Sequence, residues 1–548
     1  MPDRTTPLRL ILYIDEINPG NPLRPDKART TQAIYDCFAD WPQWALQRSS
    51  VWLLFGVIRT SLVLKLPAGI SQLMRYIMNV FFSKDGQSFT RGCLINYKGE
   101  SVLVRAAFTG FLADEKAHKE IWECKGASGT KPCISCKNVT RFLDVVDHDY
   151  LVGIDVIDYR RMDPHTNETV FAMADRLHAV KIGGVTSKKD FEAMQQMLGL
   201  NYHPEGILND AHLRSIIRPV DHTLRDWMHV FVSGGVAGTE LSLLIQEMRK
   251  HGVTEAMLVE FGGRFKFPRA QGKLDTSVWT DSKIGDESLR AFASEILSML
   301  PIMSCFLSEV VGPLNILPEH VSCFQKLVKV IQILSMGPHA AVSQAGTLQA
   351  AIVDHHTSFR RLYPEHIKPK FHHGMHIPHN ITYAGVLMSC FVTERKHRAV
   401  KREALTIFRY YEHTLVASMV NQQAEDFRVG LVLQGTTLKN PREVRANGTT
   451  LLTAKGALLP CGEVHADDLL ALEGKQLGRA HAFWQEVGRS DIVIELFVYR
   501  CTAPDYLSWS ANGGRLAFVR SEACLAPVVW AAKIDGVRII QPRAWQSE

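Results

Sequence analysis

Two cysteines separated by two residues, Cys133 and Cys136, constrain the fold of this chain more than any other feature. A Cys-x-x-Cys pair supplies half of the ligands that a structural zinc ion needs, and the sequence contains no second such pair. Residues 372–379 contain four of the 22 histidines, and one helical turn would point the imidazoles of His372 and His376 the same way. The sequence therefore predicts a Cys₂His₂ zinc site that joins segments more than 200 residues apart. A surface histidine cluster is the alternative interpretation.

The composition is that of an ordinary globular protein. The chain has 548 residues, of which 46% are hydrophobic, and this length predicts about two to four domains. Eleven cysteines, scattered apart from the one close pair, indicate reduced thiols and an intracellular location. The first apolar run is stopped by Asp15, and from the sequence we expect no stretch long enough to cross a membrane. The formal charge of +6 is compatible with a nucleic-acid partner but does not require one.

The spacing of apolar residues predicts an α/β chain that begins and ends in strands. Up to about residue 115 we expect strands in LRLILYIDEI and VWLLFGVI, and a hairpin in CLINYKGESVLVRAAFTGFLAD that turns at Lys98-Gly99-Glu100. The segment TTQAIYDCFADW has a more helical pattern. Helical spacing continues from about 170 to 365 and returns in one long helix with Thr393 as its N-cap. After about residue 428, short apolar runs such as VGLVLQG, GTTLLTAKGALL, IVIELFVYRC, RLAFVR and GVRIIQP predict a small β-barrel or sandwich.

Acidic residues end two of the expected strands. Asp15 follows the first strand, and Asp114 follows the second strand of the hairpin. A carboxylate at the end of a buried strand is well placed to bind a hard divalent cation. Taken singly, each aspartate fits a turn or a helix cap better than a metal site.

Several motifs follow these aspartates in a fixed order: Cys133-x-x-Cys136, then Asp226-Trp-Met-His229, then the histidine cluster, then Glu394-Arg. In this order the chain resembles eukaryotic cut-and-paste transposases with an RNase H-like catalytic core. The CACTA-like and Plavaka-like groups are most similar, and the V(D)J recombinase and Transib transposases are more distant. The resemblance covers roughly residues 8 to 415 and is carried by LYIDEINPGNPL, KGASGTKPCISCKNV, LRDWMHVFVSGGVAG, KPKFHHGMHIPH and TERKHRAVK.

The resemblance implies a fold in which an RNase H-like mixed sheet is interrupted by a large α-helical insertion. The first part of the core would occupy residues 1–150 and end in the Cys-x-x-Cys pair. The mainly helical insertion would occupy 151–370, and the histidine cluster with the closing catalytic helix would occupy 371–427. A small all-β domain at 428–548 completes the expected architecture.

The resemblance also implies the chemistry of the site. Asp15, Asp114 and Glu394 match a catalytic triad that binds two Mg²⁺ or Mn²⁺ ions, cleaves DNA phosphodiesters and transfers the strand. One structural Zn²⁺ would be bound by the four residues Cys133, Cys136, His372 and His376. Asp226 and His229 match the Asp-x-x-His element, in which either His229 contacts a DNA phosphate or leaving group, or Asp226 only orients it.

The expected partners are double-stranded DNA and further copies of the chain, in the nucleus and without a membrane. Basic residues on the Glu394 helix could contact phosphates, although a solvated helix face would look the same: Arg395, Lys396, His397, Arg398, Lys401 and Arg402. Only 14 residues precede Asp15, fewer than such transposases usually carry before the core. A catalytically inactive, transposon-derived DNA-binding or scaffold protein is therefore the alternative function.

Overall fold

The computed structural model describes residues 6–540, apart from 22–23, 26–28, 98, 127–128, 132, 138–161, 185, 272–275, 281–282, 286–287, 408, 429–434, 447 and 504–506. The protein is a mixed α/β chain that divides into two compact units. Unit 1 comprises residues 1–236 and 337–429, and unit 2 comprises 237–336 and 430–548. The expected insertion at 151–370 is thus divided between the two units.

Unit 1 is built around a five-stranded mixed sheet. In chain order its strands are β1 (Leu8–Ile17), β2 (Thr31–Phe38), β3 (Leu53–Arg59), β4 (Ala106–Ala113) and β5 (Thr223–Arg225). Their order across the sheet is β3-β2-β1-β4-β5. Strand β2 runs antiparallel to both its neighbours, whereas β4 is parallel to β1 and to β5.

The central strands are apolar because elements pack on both faces of the sheet. Leu10 to Ile14 of β1 are at most 2% exposed, so side chains that point to opposite faces are equally buried. The helical interpretation of TTQAIYDCFADW is wrong, because Thr31–Phe38 forms β2 and pairs with β1 along its whole length. The local sequence pattern of this segment is ambiguous, and burial between two neighbouring strands makes it a strand.

The observed hairpin is shorter than the segment in which we expected it. Strands Cys93–Tyr97 and Glu100–Val104 form a separate two-stranded hairpin; Lys98 of its expected turn lies outside the described residues. After Arg105 the chain enters β4, which leaves the hairpin and pairs in parallel with β1. Asp114 therefore ends a strand of the central sheet and not the second hairpin strand.

Helices complete unit 1. Five of them are labelled here: α1 (Glu115–Ile121), α2 (Pro369–Gly374), α3 (Ile377–Ala384), α4 (Phe391–Ala404) and α5 (Tyr411–Arg428). Longer helices at Gly69–Phe81, Asn167–Gly183, Lys188–Leu198 and Ala345–Leu362 and short ones at Gln43–Leu46 and Thr60–Val63 accompany them. The single long helix expected from Thr393 is wrong, since α4 and α5 are separate and Cys390 is the N-cap of α4. Thr393 lies within α4 and donates its hydroxyl to the Cys390 carbonyl.

Unit 2 combines helices from the middle of the chain with the C-terminal strands. Its helices are Val236–Lys250, Glu255–Gly263, Ala293–Phe306 and Pro318–Leu334. Its strands are Phe265–Lys266, Thr437–Leu438, Arg442–Ala446, Thr449–Ala454, Gly456–Leu459, Gly462–His465, Leu469–Leu472, Gln476–Glu486, Ile492–Cys501, Ser508–Arg520, Cys524–Val528, Trp530–Lys533 and Gly536–Ile539. The expected β-rich C-terminal region is confirmed, although most of VGLVLQG lies outside the described residues and the long strand Gln476–Glu486 was not expected.

Two helical stretches in the described part of the chain, Met228–Lys250 and Ala293–Leu314, have the length and composition of membrane spans, although the sequence led us to expect none. In their most apolar windows, 83% and 44% of the residues are buried inside the protein. Core helices of soluble proteins have the same length and composition, so these stretches are weak evidence for a membrane location.

Candidate metal centres at the edge of the central sheet

Asp15 and Asp114 lie at the same edge of the sheet because of a bulge in β4. Below the bulge Leu10 pairs with Phe108, and above it Ile11 pairs with Gly110. The shifted register continues to Tyr13 and Leu112, the last pair of this ladder, and Asp15 and Asp114 each lie two residues further on. Without the extra residue the end of β4 would be one position out of register with β1. The two carboxylates are near enough for the charge of Asp114 to raise the pKa of Asp15.

Glu394 approaches these aspartates from the first turn of α4. One ligand atom each of Asp15, Glu394 and His397 lie within 4.8 Å of one another. Asp114 does not belong to this group, because its Oδ1 accepts the N–H of Ala117 at 2.7 Å and caps α1. The structure thus brings Asp15 and Glu394 together, and places Asp114 beside them on the neighbouring strand.

The pKa of Asp15 reflects this crowding of negative charge. Burial raises the pKa of its carboxyl; the charges of Glu394 and Asp114 raise it further, and His397 opposes them. At Glu394 the attraction of the nearby His397 ring outweighs burial, and the pKa of that carboxyl is lowered. Two carboxylates held this close repel each other, and a bound divalent cation would remove the repulsion.

His397 is buried, although the basic residues next to it in the sequence suggested a position on the DNA-facing surface. Its ring is 2% exposed and lies between Tyr13 and Tyr35, with centroid distances of 5.8 and 5.5 Å. Its Nδ1 is 3.8 Å from Asp15 Oδ2 and 3.7 Å from Glu394 Oε2. The sequence did contain a signal, because His397 follows Glu394 by three positions and so shares its helix face.

The rest of the basic run on α4 divides between the interior and the surface. Lys396 is buried and donates its Nζ to the Ser49 carbonyl at 3.2 Å. Arg395, Arg398 and Arg402 are exposed, and their spacing places them along one side of α4. Lys396 and His397 are therefore not available to a DNA phosphate at the surface. Arg398 and Arg402 are available, and Arg395 already donates one bond to the Gln47 carbonyl at 2.8 Å.

The four predicted zinc ligands do meet. Cys133, Cys136, His372 and His376 each offer one ligand atom within 4.8 Å of the others, so that the cluster could bind a zinc-like metal. The Cys133 Sγ is 3.5 Å from the Cys136 Sγ and 3.0 Å from the His372 Nε2, and the two histidine Nε2 atoms are 3.1 Å apart. Ordinary Zn–S and Zn–N bonds in a tetrahedron give edges of about 3.4–3.8 Å, so small shifts would admit the ion.

Local backbone and charge support this cluster. His372 lies in α2 and His376 immediately before α3, and Met375 between them keeps helical angles, which preserves the expected i, i+4 relation. Burial raises the pKa of Cys133, but its hydrogen bond with Cys136 and the two imidazoles outweigh burial and lower that pKa well below its ordinary value. Burial and Arg225 lower the pKa of His376 to about 4. A thiolate and a neutral imidazole are the forms that bind zinc.

Asp226 connects β5 to the start of α4. Its buried side chain accepts the N–H groups of Met228 at 3.1 Å and of Cys390 at 3.0 Å through Oδ1. Its Oδ2 accepts two hydrogen bonds from His229: one from the backbone N–H at 3.1 Å and one from the ring Nδ1–H at 2.6 Å. Both oxygens are thus fully used, and Asp226 orients His229 while it fixes the N-cap of α4.

The carboxylates around His229 favour its protonated form. Burial lowers the pKa of His229, but the bond with Asp226 and the negative charges of Asp226, Asp114 and Glu394 outweigh burial and raise it. A quarter of the side chain is exposed, in contrast to the fully buried Asp226. The ring can therefore donate a hydrogen bond to a ligand at the edge of the sheet.

No protein-family model matches this chain, and no curated protein matches its sequence. Its functional assignment therefore rests on these two clusters. One has the soft thiolate and imidazole ligands that zinc prefers, and the other has the carboxylate oxygens that magnesium and manganese prefer.

Proposed function

We propose that this chain is a transposase-like protein that cleaves DNA phosphodiesters and transfers the cut strand, with Asp15, Asp114 and Glu394 as the ligands of two Mg²⁺ or Mn²⁺ ions. The observation that carries the proposal is the meeting of Asp15 and Glu394, which are far apart in sequence, with Asp114 near enough for its charge to raise the pKa of Asp15. The mixed sheet with its antiparallel second strand is consistent with an RNase H-like core. Homo-oligomeric assembly and a nuclear location follow from the same resemblance.

The carboxylates supply the catalytic part of the site. Divalent ions bound there would activate the attacking water and stabilise the leaving 3′-oxygen. Asp15 is held by the sheet because it lies near the carboxyl end of β1, which continues to Ile17, and Asp114 directly follows β4. Glu394 depends on the position of α4, which Asp226 fixes through the Cys390 N–H.

Two groups would orient the DNA. His229, held by Asp226 and raised in pKa, would donate to a phosphate oxygen or to the leaving oxygen. The exposed arginines at 395, 398 and 402 would contact phosphates further along the duplex. Such contacts position DNA without reading its sequence.

Zinc would have an architectural role. The ion would join the loop at Cys133 and Cys136 to the α2–α3 segment, which leads within 18 residues from His376 to Glu394. Because that segment precedes α4, the zinc-bound geometry would help to keep Glu394 beside Asp15. In this role the zinc ion would only bind its four protein ligands and would take no part in the cleavage reaction.

Cleavage of supercoiled plasmid by the zinc-loaded protein tests the proposal. We expect nicking that depends on added Mg²⁺ or Mn²⁺ and that Asp15→Asn abolishes. Glu16→Gln is the matched control, because Glu16 is the adjacent exposed carboxylate and should leave nicking unchanged. Metal-dependent nicking that survives in Asp15→Asn would refute the assignment of the site.

The second candidate is a non-catalytic, transposon-derived DNA-binding or scaffold protein. It is favoured by Asp114, whose Oδ1 serves as a helix cap and which lies outside the group formed by Asp15 and Glu394. This candidate predicts no nicking by the parent protein with either metal. It also predicts duplex binding that Arg398→Ala weakens and Asp15→Asn does not.

A further inference from the structure

Outside the zinc cluster, two further cysteines bring their sulfur atoms together. The Sγ atoms of Cys461 and Cys524, both in unit 2, are 3.6 Å apart, although the residues are 63 positions apart in sequence. This is the distance of a hydrogen bond between two thiols. No imidazole or carboxylate among the described residues joins them in a group of three metal ligands. The pair therefore has the composition of a thiol redox site and not of a zinc site.

The fold exposes the two thiols to different degrees. Cys461 lies in the two-residue turn between the paired strands Gly456–Leu459 and Gly462–His465, and its side chain is partly exposed. Cys524 begins the strand Cys524–Val528, is 5% exposed and packs in the core of the C-terminal strands. A reagent in solution can therefore reach Cys461 but not Cys524.

The contact between the two thiols also makes them chemically unequal. The hydrogen bond from Cys524 outweighs burial and lowers the pKa of the Cys461 thiol. The same hydrogen bond, burial and the negative charge of Cys461 raise the pKa of the Cys524 thiol well above its ordinary value. The thiol that solvent reaches is thus also the one that favours the nucleophilic thiolate form.

We propose that Cys461 and Cys524 are a redox modification site, at which a small disulfide such as oxidised glutathione converts the two thiols into a disulfide bond. The Cys461 thiolate attacks one sulfur of the small disulfide, forms a mixed disulfide and releases one small thiolate. The Cys524 sulfur then attacks the Cys461 sulfur, and the second small thiolate leaves and takes up the Cys524 proton. The two protein thiols are oxidised by two electrons, and the small disulfide is reduced to two thiols.

Formation of the mixed disulfide prepares Cys524 for the second step. Once the Cys461 sulfur is bonded to another sulfur it carries no charge, so its hydrogen bond and its negative charge no longer raise the pKa of Cys524. The Sγ atoms then approach by about 1.5 Å to reach the disulfide bond length of about 2.05 Å. Cys461 supplies this movement because it lies in a turn, whereas Cys524 is held in a strand that pairs with Leu469–Leu472.

The disulfide would join two sheets of unit 2. The turn that contains Cys461 belongs to a three-stranded sheet, and the strand that begins at Cys524 belongs to the ten-stranded sheet. A bond between residues 63 positions apart restricts the unfolded chain and so stabilises the folded form. Oxidation should therefore shift the midpoint of unfolding to a higher urea concentration, and reduction with dithiothreitol should reverse the shift.

The test is incubation of the zinc-loaded full chain with oxidised glutathione, followed by alkylation of the remaining thiols, digestion without reductant and mass spectrometry. We expect a pair of peptides linked through Cys461 and Cys524, and two fewer free thiols per chain. Cys501→Ser is the matched control, because Cys501 is also a partly exposed cysteine of unit 2, but its Sγ donates to the Ala503 carbonyl at 3.1 Å. The control should form the link as the parent does.

Two variants separate the roles of the thiols. Cys461→Ser should form no link and leave Cys524 reduced. Cys524→Ala should stop at the first step, so that Cys461 gains one glutathione and keeps it. A parent chain that keeps both thiols, or that retains glutathione on Cys461 without forming the link, would overturn the proposal. The proposed catalytic and zinc residues belong to unit 1, so none of these outcomes depends on plasmid nicking.

Discussion

Asp226→Asn perturbs the one residue that joins β5, His229 and α4. The carboxylate accepts four hydrogen bonds, two through each oxygen. An asparagine that keeps its oxygen toward Met228 and Cys390 turns its NH₂ group toward two donors of His229. Two bonds to a charged carboxylate are then lost, each worth about 1.5–3 kcal/mol. We expect the free energy of unfolding to fall by about 3–6 kcal/mol, with the lower value if neutral His229 accepts from the new NH₂ group.

The pKa shifts of Asp226 and His229 determine how the loss of stability in this variant changes with pH. The pKa of His229 is raised in the folded protein, so its contribution is complete below the ordinary value of about 6.5 and is lost as pH rises through the folded value. The pKa of Asp226 is lowered despite burial, because His229 and backbone N–H groups bind the carboxylate; its contribution is present above the ordinary value of about 3.9 and is lost as pH falls through the folded value. The difference between parent and variant should therefore be largest between about pH 4 and 6.5 and smaller at pH 9.

Urea unfolding followed by tryptophan fluorescence at pH 5.5 and pH 9 measures this difference. Asp175→Asn is the matched control, because Asp175 is 59% exposed and pairs with Arg214 at 2.7 Å on the surface. A surface pair contributes about 0–1 kcal/mol, so the control should change stability little. Equal losses in the two variants, or a loss in Asp226→Asn that is the same at both pH values, would refute the account of Asp226.

Three further predictions concern the metal and DNA sites. Cys133→Ser should lower Mg²⁺-dependent nicking by loosening Glu394 while helical circular dichroism is largely kept; unchanged nicking would contradict the architectural role of zinc. His397→Phe should raise the Mn²⁺ dissociation constant several-fold in a titration, yet change the free energy of unfolding by less than about 1 kcal/mol, because Nε2 of His397 has no partner among the described residues. Arg398→Ala should reduce the salt dependence of duplex binding by about one phosphate contact, and an unchanged slope would exclude Arg398 from the DNA surface.

The sequence alone identified the groups that carry chemistry. A Cys-x-x-Cys pair and two histidines spaced for one helical turn indicated the four residues that do come together in the structure. Aspartates near the ends of two strands were also visible, because apolar β-branched runs stop at a carboxylate, but the expectation that Asp15 ends its strand is wrong: β1 continues through hydrogen-bonded pairing to Ile17, and only Asp114 follows its strand directly. These features are local, and spacing within a few residues is enough to detect them.

Only the tertiary structure decided how these groups are used. The segment of β2 has a helical pattern but is buried as a strand beside β1, and a single bulge shifts the register of β4 against β1 before the chain reaches Asp114. His397 belonged to a basic run in sequence but lies among tyrosines beside Glu394, and Asp226 reaches the N-cap of α4 across 164 residues. Each outcome depends on which distant strand or helix covers a residue, and periodicity along the chain gives the face of an element but not the partner that packs against it.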